Sequence, residues 1–289
     1  MELNALGMSD QGRVRINNED NLAACNLSTG ESRAGAFECA YTLGPRGALL
    51  MVADGMGGEA CGELASEMCV QEIPARLGEN LKALANLGEA RFALALRGAI
   101  EETSKAIYGK SRSQPQLRGM GSTTTAAALF GPFLFVAQVG DSRAYLIRDG
   151  RMTQLTRDQT FLNYLAELGV EPPADPENDP RKSILIQAVG TAETLDVKLS
   201  GAPLYDGDQV LLCSDGLYNQ VKPAEMLGIA GRAESLARKA ASLIQAANAS
   251  GGADNITVVL AEFTGAGLPA GGGSRHVELR EFELDDLGR

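Results

Sequence analysis

A single histidine, His276, occurs in the chain, inside a glycine-rich stretch near its C-terminal end. Without a histidine in the folded body, Ser-His-Asp and Cys-His catalysis are excluded, and so is a histidine-built zinc site. The five cysteines (Cys25, Cys39, Cys61, Cys69 and Cys213) are odd in number and show no Cys-x-x-Cys spacing. They support neither a disulfide framework nor a zinc site, and reduced thiols in a cytoplasmic protein are the expected state. None precedes an arginine at the spacing of a cysteine phosphatase, and neither an Asp-x-Asp-x-Thr/Val motif nor a Walker loop is present. No apolar run reaches membrane-spanning length, so no membrane insertion is expected. The opening MELNALGMSDQGR lacks the basic and apolar segments of a secretion signal. Basic residues are scarce too: 26 Lys and Arg face 37 Asp and Glu, a net charge of −11. That argues against a nucleic-acid partner, whose phosphates demand a basic face.

What remains for chemistry is carboxylate, and the carboxylates fall in a pattern. The segment 49–66, LLMVADGMGGEACGELAS, runs from a continuous apolar stretch into Asp54-Gly55, a glycine pair and a helical pattern. An apolar run of this length bounded by glycine reads as a buried strand. Asp54 is then a charge delivered at the end of a buried strand, which is costly unless a cation meets it. Capping of the following helix is the plain alternative. The same arrangement recurs: VLLCSDG ends on Asp215, Asp254 opens the apolar run DNITVVL, and Asp141 follows FLFVAQVG. Four acids at strand ends are hard to assign to capping alone. With histidine and paired cysteine gone, a metal site must be built from oxygen, which selects magnesium, manganese or calcium.

Residues 9–22, SDQGRVRINNEDNL, form a turn at Asp10 to Gly12 and then present Arg15 ahead of Glu19 and Asp20. Arg15 suits a planar, bidentate phosphate clamp, with Glu19 and Asp20 as metal or metal-water ligands. A solvated polar loop is the alternative. Arg13 is expected on the opposite side of a strand from Arg15.

Helical periodicity over 59–77 and 85–108 predicts two amphipathic helices covering a sheet, the second with Leu87, Leu94, Ile100 and Ile107 inward. GMGSTTTAAALF, FLFVAQVG, SRAYLIR and RMTQLT read as a four-stranded antiparallel meander over 122–156, with Asp149-Gly150 as a hairpin turn. Residues 157–190 interrupt it as a flap, helix-like and then a loop at PPADPENDP. Strands follow near 194–200 and at 209–213. A helix over 233–248 ends at Gly251-Gly252, and ITVVLAEF closes the body. The expected division is a body over 1–264, then a Gly-rich linker and acidic C-terminal tail over 265–289. The pattern at 277–287 is compatible with a strand, a docked helix or an unstructured tail.

Six collinear stretches, SDQGRVRINNED, VADGMGGEACGELAS, GMGSTTT, VGDSRAYLIRDGRMTQLTRD, LLCSDGL and GGADNITVV, resemble the metal-dependent protein serine/threonine phosphatases of type 2C in their compact bacterial form. The resemblance covers about residues 9–263. It implies an α+β fold of two packed antiparallel β-sheets flanked by α-helices, an α-β-β-α sandwich. It also implies two core ions, Mn2+ or Mg2+, at one edge of the sandwich. Carried over by position, Asp54 resembles the carboxylate that bridges both ions, with the Gly55 carbonyl on one of them. Asp215 and Asp254 resemble further ligands of the first ion, and Glu19 and Asp20 the acidic pair around the second. Arg15 is similar to the phosphate-binding arginine, and Asp141 to the aspartate of a third, weaker ion. Family members often carry histidine where this chain has Glu59 and Gln159. The implied partners are phosphorylated proteins, including a Ser/Thr protein kinase and its substrates. The rival reading is a catalytically weak phosphoprotein-binding module that keeps the site's shape.

Overall fold

The computed structural model describes the chain except residues 85, 174, 176–178, 271–275 and 283–289, and except the side chains of residues 59 and 60. From the N-terminus run β1 (Glu2–Asp10), β2 (Asp20–Asn26), β3 (Glu31–Ala34), β4 (Phe37–Thr42) and β5 (Ala48–Met56). Two long helices follow, α1 (Glu59–Ala83) and α2 (Glu89–Ser113), then β6 (Gly121–Ser122), β7 (Thr124–Phe130) and β8 (Phe133–Val139). Next come β9 (Arg143–Arg148), β10 (Arg151–Gln154), α3 (Phe161–Glu167), β11 (Lys198–Pro203) and β12 (Gln209–Cys213). The chain closes through α4 (Asp215–Tyr218), α5 (Pro223–Ala230), α6 (Leu236–Ala249), β13 (Ile256–Thr264) and β14 (Arg280–Phe282).

Among the described residues the strands form two antiparallel sheets. One has six strands in the order β10-β9-β12-β13-β1-β4. The other has eight, in the order β14-β11-β8-β7-β5-β2-β3, with β6 paired to the end of β5. The apolar run in β5 is unbroken because both its faces are covered. Leu49, Met51 and Ala53 face α1 and α2, where Phe92 and Leu96 meet them. Leu50 and Val52 face the other sheet and join Leu3, Leu146, Leu212 and Phe263. A third apolar layer, with Leu211, Leu243, Ile256 and Leu260, seats α6 on the six-stranded sheet. Helix, sheet, sheet and helix are thus stacked in that order, the sandwich that the resemblance implies. No helix among the described residues is long and apolar enough to cross a membrane.

Four expectations need correction. The stretch 122–156 is not one meander. The β7–β8 hairpin belongs to the eight-stranded sheet and the β9–β10 hairpin to the six-stranded one. The chain changes sheets at Gly140, whose φ of 93° suits glycine, and the corner is pinned where Thr125 Oγ1 donates to the Ser142 carbonyl at 2.6 Å. Strand alternation alone does not encode which sheet a hairpin joins. In α2 the inner face is Phe92, Leu96, Ile100 and Ile107, while Leu94 is 36% exposed. Leu94 lies two residues from Phe92, which is roughly 200° around a helix. Arg13 and Arg15 do not share a strand, because β1 ends at Asp10 and residues 11–19 form a bent loop. Lastly, the strand foreseen near 194–200 is shifted to Lys198–Pro203.

Several other expectations hold. Asp149 and Gly150 make the hairpin turn with φ of 50° and 69°. Gly12 N donates to Asp10 Oδ1, closing the turn before the arginines. Of the three conformations open for the tail, a strand is found: Arg280–Phe282 pairs antiparallel with β11, and Phe282 packs against Phe133 and Phe135. Part of PPADPENDP lies outside the described residues. Within 157–190, Phe161 N donates to the Ile184 carbonyl and Ile186 N to that of Gln159.

Candidate active site

Asp20 and Asp54 are direct cross-strand partners of β2 and β5. Like charges so placed repel, so the pair is stable as two carboxylates only with a compensating charge. Asp215 joins from the start of α4, directly after β12, and Asp254 from the loop before β13. Asp141 sits at the corner between β8 and β9. Glu19 immediately precedes β2. Its carbonyl accepts hydrogen bonds from Gly55 N at 3.1 Å and from Ser66 Oγ at 2.5 Å. Gly55 has to be glycine here, since a Cβ would run into the carbonyls of Gly62 and Glu19. The acids singled out as candidate ligands, Glu19, Asp20, Asp54, Asp141, Asp215 and Asp254, therefore come from strand ends and loops at one edge of the sandwich.

The electrostatics follow from burial and crowding. Asp20 and Asp141 are buried; Asp54, Asp215 and Asp254 are half-buried. Burial, then the charges of Asp20, Asp215, Asp141 and Asp254, push Asp54 well above the usual carboxylate range. Asp215 is pushed up likewise, by burial first and then by Asp141, Asp254 and Asp20. Burial raises Asp20 and Asp141 to about 6, with the charge of Asp158 adding to the rise at Asp141.

Arg15 answers this field with its Nη2, 2.7 Å from Asp254 Oδ2. That bond and the neighbouring carboxylates raise the arginine's own pKa. Its side chain is 54% exposed, and its neighbours Val14 and Ile16 are exposed apolar residues.

Several positioning residues carry no signal in the strand-end pattern. Asn255 ties down the whole 11–19 loop. Its Oδ1 accepts from Glu19 N, and its Nδ2 donates to the carbonyls of Gln11 and Asn17. Ser214 Oγ donates to Asp20 Oδ2 at 2.7 Å. Thr123 holds Asp54 through both its backbone and side chain: its N donates to the Asp54 carbonyl, and its Oγ1 accepts from Asp54 N. Arg143 forks onto Asp158 and stacks 3.6 Å over Tyr218, whose hydroxyl feels the charge of Asp141. Gln159, in a position where relatives often have histidine, accepts from Gly140 N at 2.7 Å and braces the Asp141 corner. Asn255 follows Asp254 directly, a signal available in the sequence. The others are set by contacts made only in the fold.

The donor set fits hard divalent cations: oxygen ligands only, an excess of buried negative charge, and one buried carboxylate oxygen, Asp20 Oδ1, without a hydrogen-bond partner among the described residues. Other oxygens are engaged by the protein, Asp254 by Arg15 and Asp215 by Asn219. Among the described residues no three His, Cys, Asp or Glu side chains are gathered as a ready-made ion cage.

Two packed sheets with an all-oxygen acidic edge suit the class of proteins built around divalent cations. Comparison with known proteins narrows the class. Residues 26–261 match the protein phosphatase 2C family. The serine/threonine phosphatase stp of Listeria welshimeri is 37% identical over 254 residues, spanning 88% of this chain and 93% of that one. The crystal structure of the Mycobacterium tuberculosis serine/threonine phosphatase PstP/Ppp superposes with a TM-score of 0.74 at 34% identity, covering 92% of this chain and 100% of that one. A structure of the PstP catalytic domain in complex with two manganese ions is 33% identical, with a TM-score of 0.71, and covers 91% of this chain and 99% of that one. The chain belongs to the protein phosphatase 2C family of divalent-metal-dependent protein serine/threonine phosphatases.

Proposed function

We propose that the acidic edge hydrolyses phosphoserine and phosphothreonine esters of proteins, with the body over 1–264 as the catalytic unit, 157–190 as a flap beside it and 265–289 as an accessory tail. The observation that carries this reading is the convergence of Asp20, Asp54, Asp215 and Asp254 on one edge with Arg15 facing them. Asp54, Asp215 and Asp254 would hold one cation, and the Gly55 carbonyl would meet one of the two core ions. Asp54 would share a second with Glu19 and Asp20, and Asp141 would hold a weaker third. Manganese and magnesium both suit all-oxygen ligands. When bound, such ions acidify water and neutralise charge on phosphoryl oxygens.

The protein's own part is positioning and electrostatics. Arg15 binds the non-bridging oxygens of the ester through its planar fork. Asn255 and Ser66 keep the Arg15 loop and Glu19 in register. Val14 and Ile16 offer apolar contact to the polypeptide around the phosphorylated residue. Gln159 offers no proton and the body holds no histidine, so we assign protonation of the leaving serine or threonine alkoxide to water rather than to an acid such as Glu59.

The physiological substrates would be cytoplasmic phosphoproteins, including a Ser/Thr protein kinase and its targets, in keeping with five free cysteines and the metal-dependent family. Hydrolysis of a phosphothreonine peptide with manganese, and its loss with chelator, tests the reading. Peptide binding without metal-dependent turnover would favour the rival reading of a binding module.

A further inference from the structure

Beside the acidic edge lies a cavity of about 470 Å³ with the opposite character. Two arginines, Arg112 and Arg118, line it together with the hydroxyl-bearing Tyr108, Ser111 and Thr191, and no carboxylate does. In a chain of net charge −11 such a lining is an exception. Among the described residues neither arginine is engaged in an ion pair. A guanidinium pair backed by hydroxyls is the donor set of an anion site.

The cavity is fastened to the Asp54 strand on two sides. Gly119, on its rim, directs its carbonyl at Gly57, within 2.6 Å of where a Cβ would stand there. On the other side Val189, next to the lining Gly190, pairs with Ser122, whose Oγ donates to the Asp54 carbonyl. Asp54 and Gly57 are three residues apart, a span of at most about 11 Å. An extended polypeptide covers that distance in about three or four residues.

We propose that Arg112 and Arg118 form a specificity subsite that takes a second anionic side chain of the phosphoprotein substrate, a phosphorylated or acidic residue three or four positions from the one being dephosphorylated. This rests on the phosphatase reading above and adds a sequence preference to it. The subsite draws acidic substrates to an otherwise repelling surface, and salt weakens its pull because both arginines are exposed.

The test compares the full-length wild type with the double variant Arg112→Ala/Arg118→Ala and with Arg118→Glu. The substrates are p-nitrophenyl phosphate, a phosphothreonine peptide with neutral flanks, and the same peptide with aspartate or phosphoserine three and four residues away on either side. The wild type is expected to favour an anion-flanked peptide by about fivefold in kcat/KM at low salt, mainly through KM. The double variant should lose that preference, Arg118→Glu should reverse it, and p-nitrophenyl phosphate should be cleaved as before. Peptide binding by fluorescence anisotropy in chelator repeats the comparison without turnover. An inactive wild type would therefore count against the phosphatase reading, while the subsite is still judged by binding. Equal preference in wild type and double variant overturns the proposal. So does a double variant that loses only inhibition by inorganic phosphate, which would make the cavity a site for the free ion.

Discussion

Arg15 and Asp254, 239 residues apart in the chain, are joined by a 2.7 Å hydrogen bond from Nη2 to Oδ2. The arginine proposed for the ester thus rests on a carboxylate proposed for a cation. A cation held by Asp254 would draw on the same carboxylate charge as the arginine, so loading the site is expected to loosen this pair and make Arg15 more available to phosphate. Arg15→Ala is expected to raise KM for a phosphopeptide about tenfold or more, at least as clearly as it lowers kcat. In chelator, where Arg15 offsets the crowded acids, the same variant should melt below wild type, and manganese should narrow the gap. Arg13, exposed and joined to Gly252 through its backbone N, should matter little to KM when replaced by alanine. Equal kinetic effects at both positions would undo the assignment.

The raised carboxylates set a pH dependence for the metal-free protein. Asp20 and Asp141 titrate near 6 when folded, against an ordinary value of 3.8. Between these values the folded state holds more protons than the unfolded one, so stability falls as pH rises from about 4 to about 6. Thermal unfolding in chelator should show these groups costing stability across that window, and manganese should restore more at pH 7.5 than at pH 5. A manganese shift equal at both pH values would contradict this.

The sandwich was legible because its strands are buried on both faces and read as apolar runs, and because acids punctuate their ends. Asp54, Asp215 and Asp254 stand out for that reason. What stayed hidden needs contacts between distant segments. The sheet change at Asp141 depends on Thr125 and Ser142, and the fixing of the Arg15 loop depends on Asn255, over 230 residues away. Strand β1 carries no comparable signal in the sequence. Its glycine, Gly7, leaves room for Phe37 and Leu22, so its packing is set by partners rather than by its own side chains.

The C-terminal strand changes the expectation for truncation. A chain ending at Thr264 reads in the sequence as a self-sufficient body, yet Phe282 lies against Phe133 and Phe135 with ring centroids 6.0 and 5.7 Å away. Removing residues 265–289, or Phe282→Ala alone, should cost about 1–2 kcal/mol and lower Tm by about 2–4 °C. Hydrolysis of p-nitrophenyl phosphate should be kept. An unchanged Tm in both would mean the strand does not dock in solution.

Stability and chemistry can be separated at the far side of the six-stranded sheet. Arg148 forks onto Asp208 at 2.9 and 2.7 Å, both residues being buried, and Asp208 Oδ2 also accepts from Tyr205 N. Asp208→Ala leaves a buried guanidinium without its partner and should cost about 3–5 kcal/mol. Replacing both, Arg148→Met with Asp208→Ala, should recover part of that loss. Either variant, where folded, should retain the wild-type KM for a phosphopeptide. No extra recovery in the double variant, measured by urea unfolding, would refute the coupling.

The most direct test of the two-cation assignment is phosphothreonine-peptide hydrolysis by Asp54→Asn at saturating manganese, on protein purified free of wild type. Replacing one of the repelling carboxylates should leave the fold intact and raise Tm in chelator, while manganese-dependent turnover falls to background. Retention of most of the manganese-dependent rate by folded Asp54→Asn would contradict it.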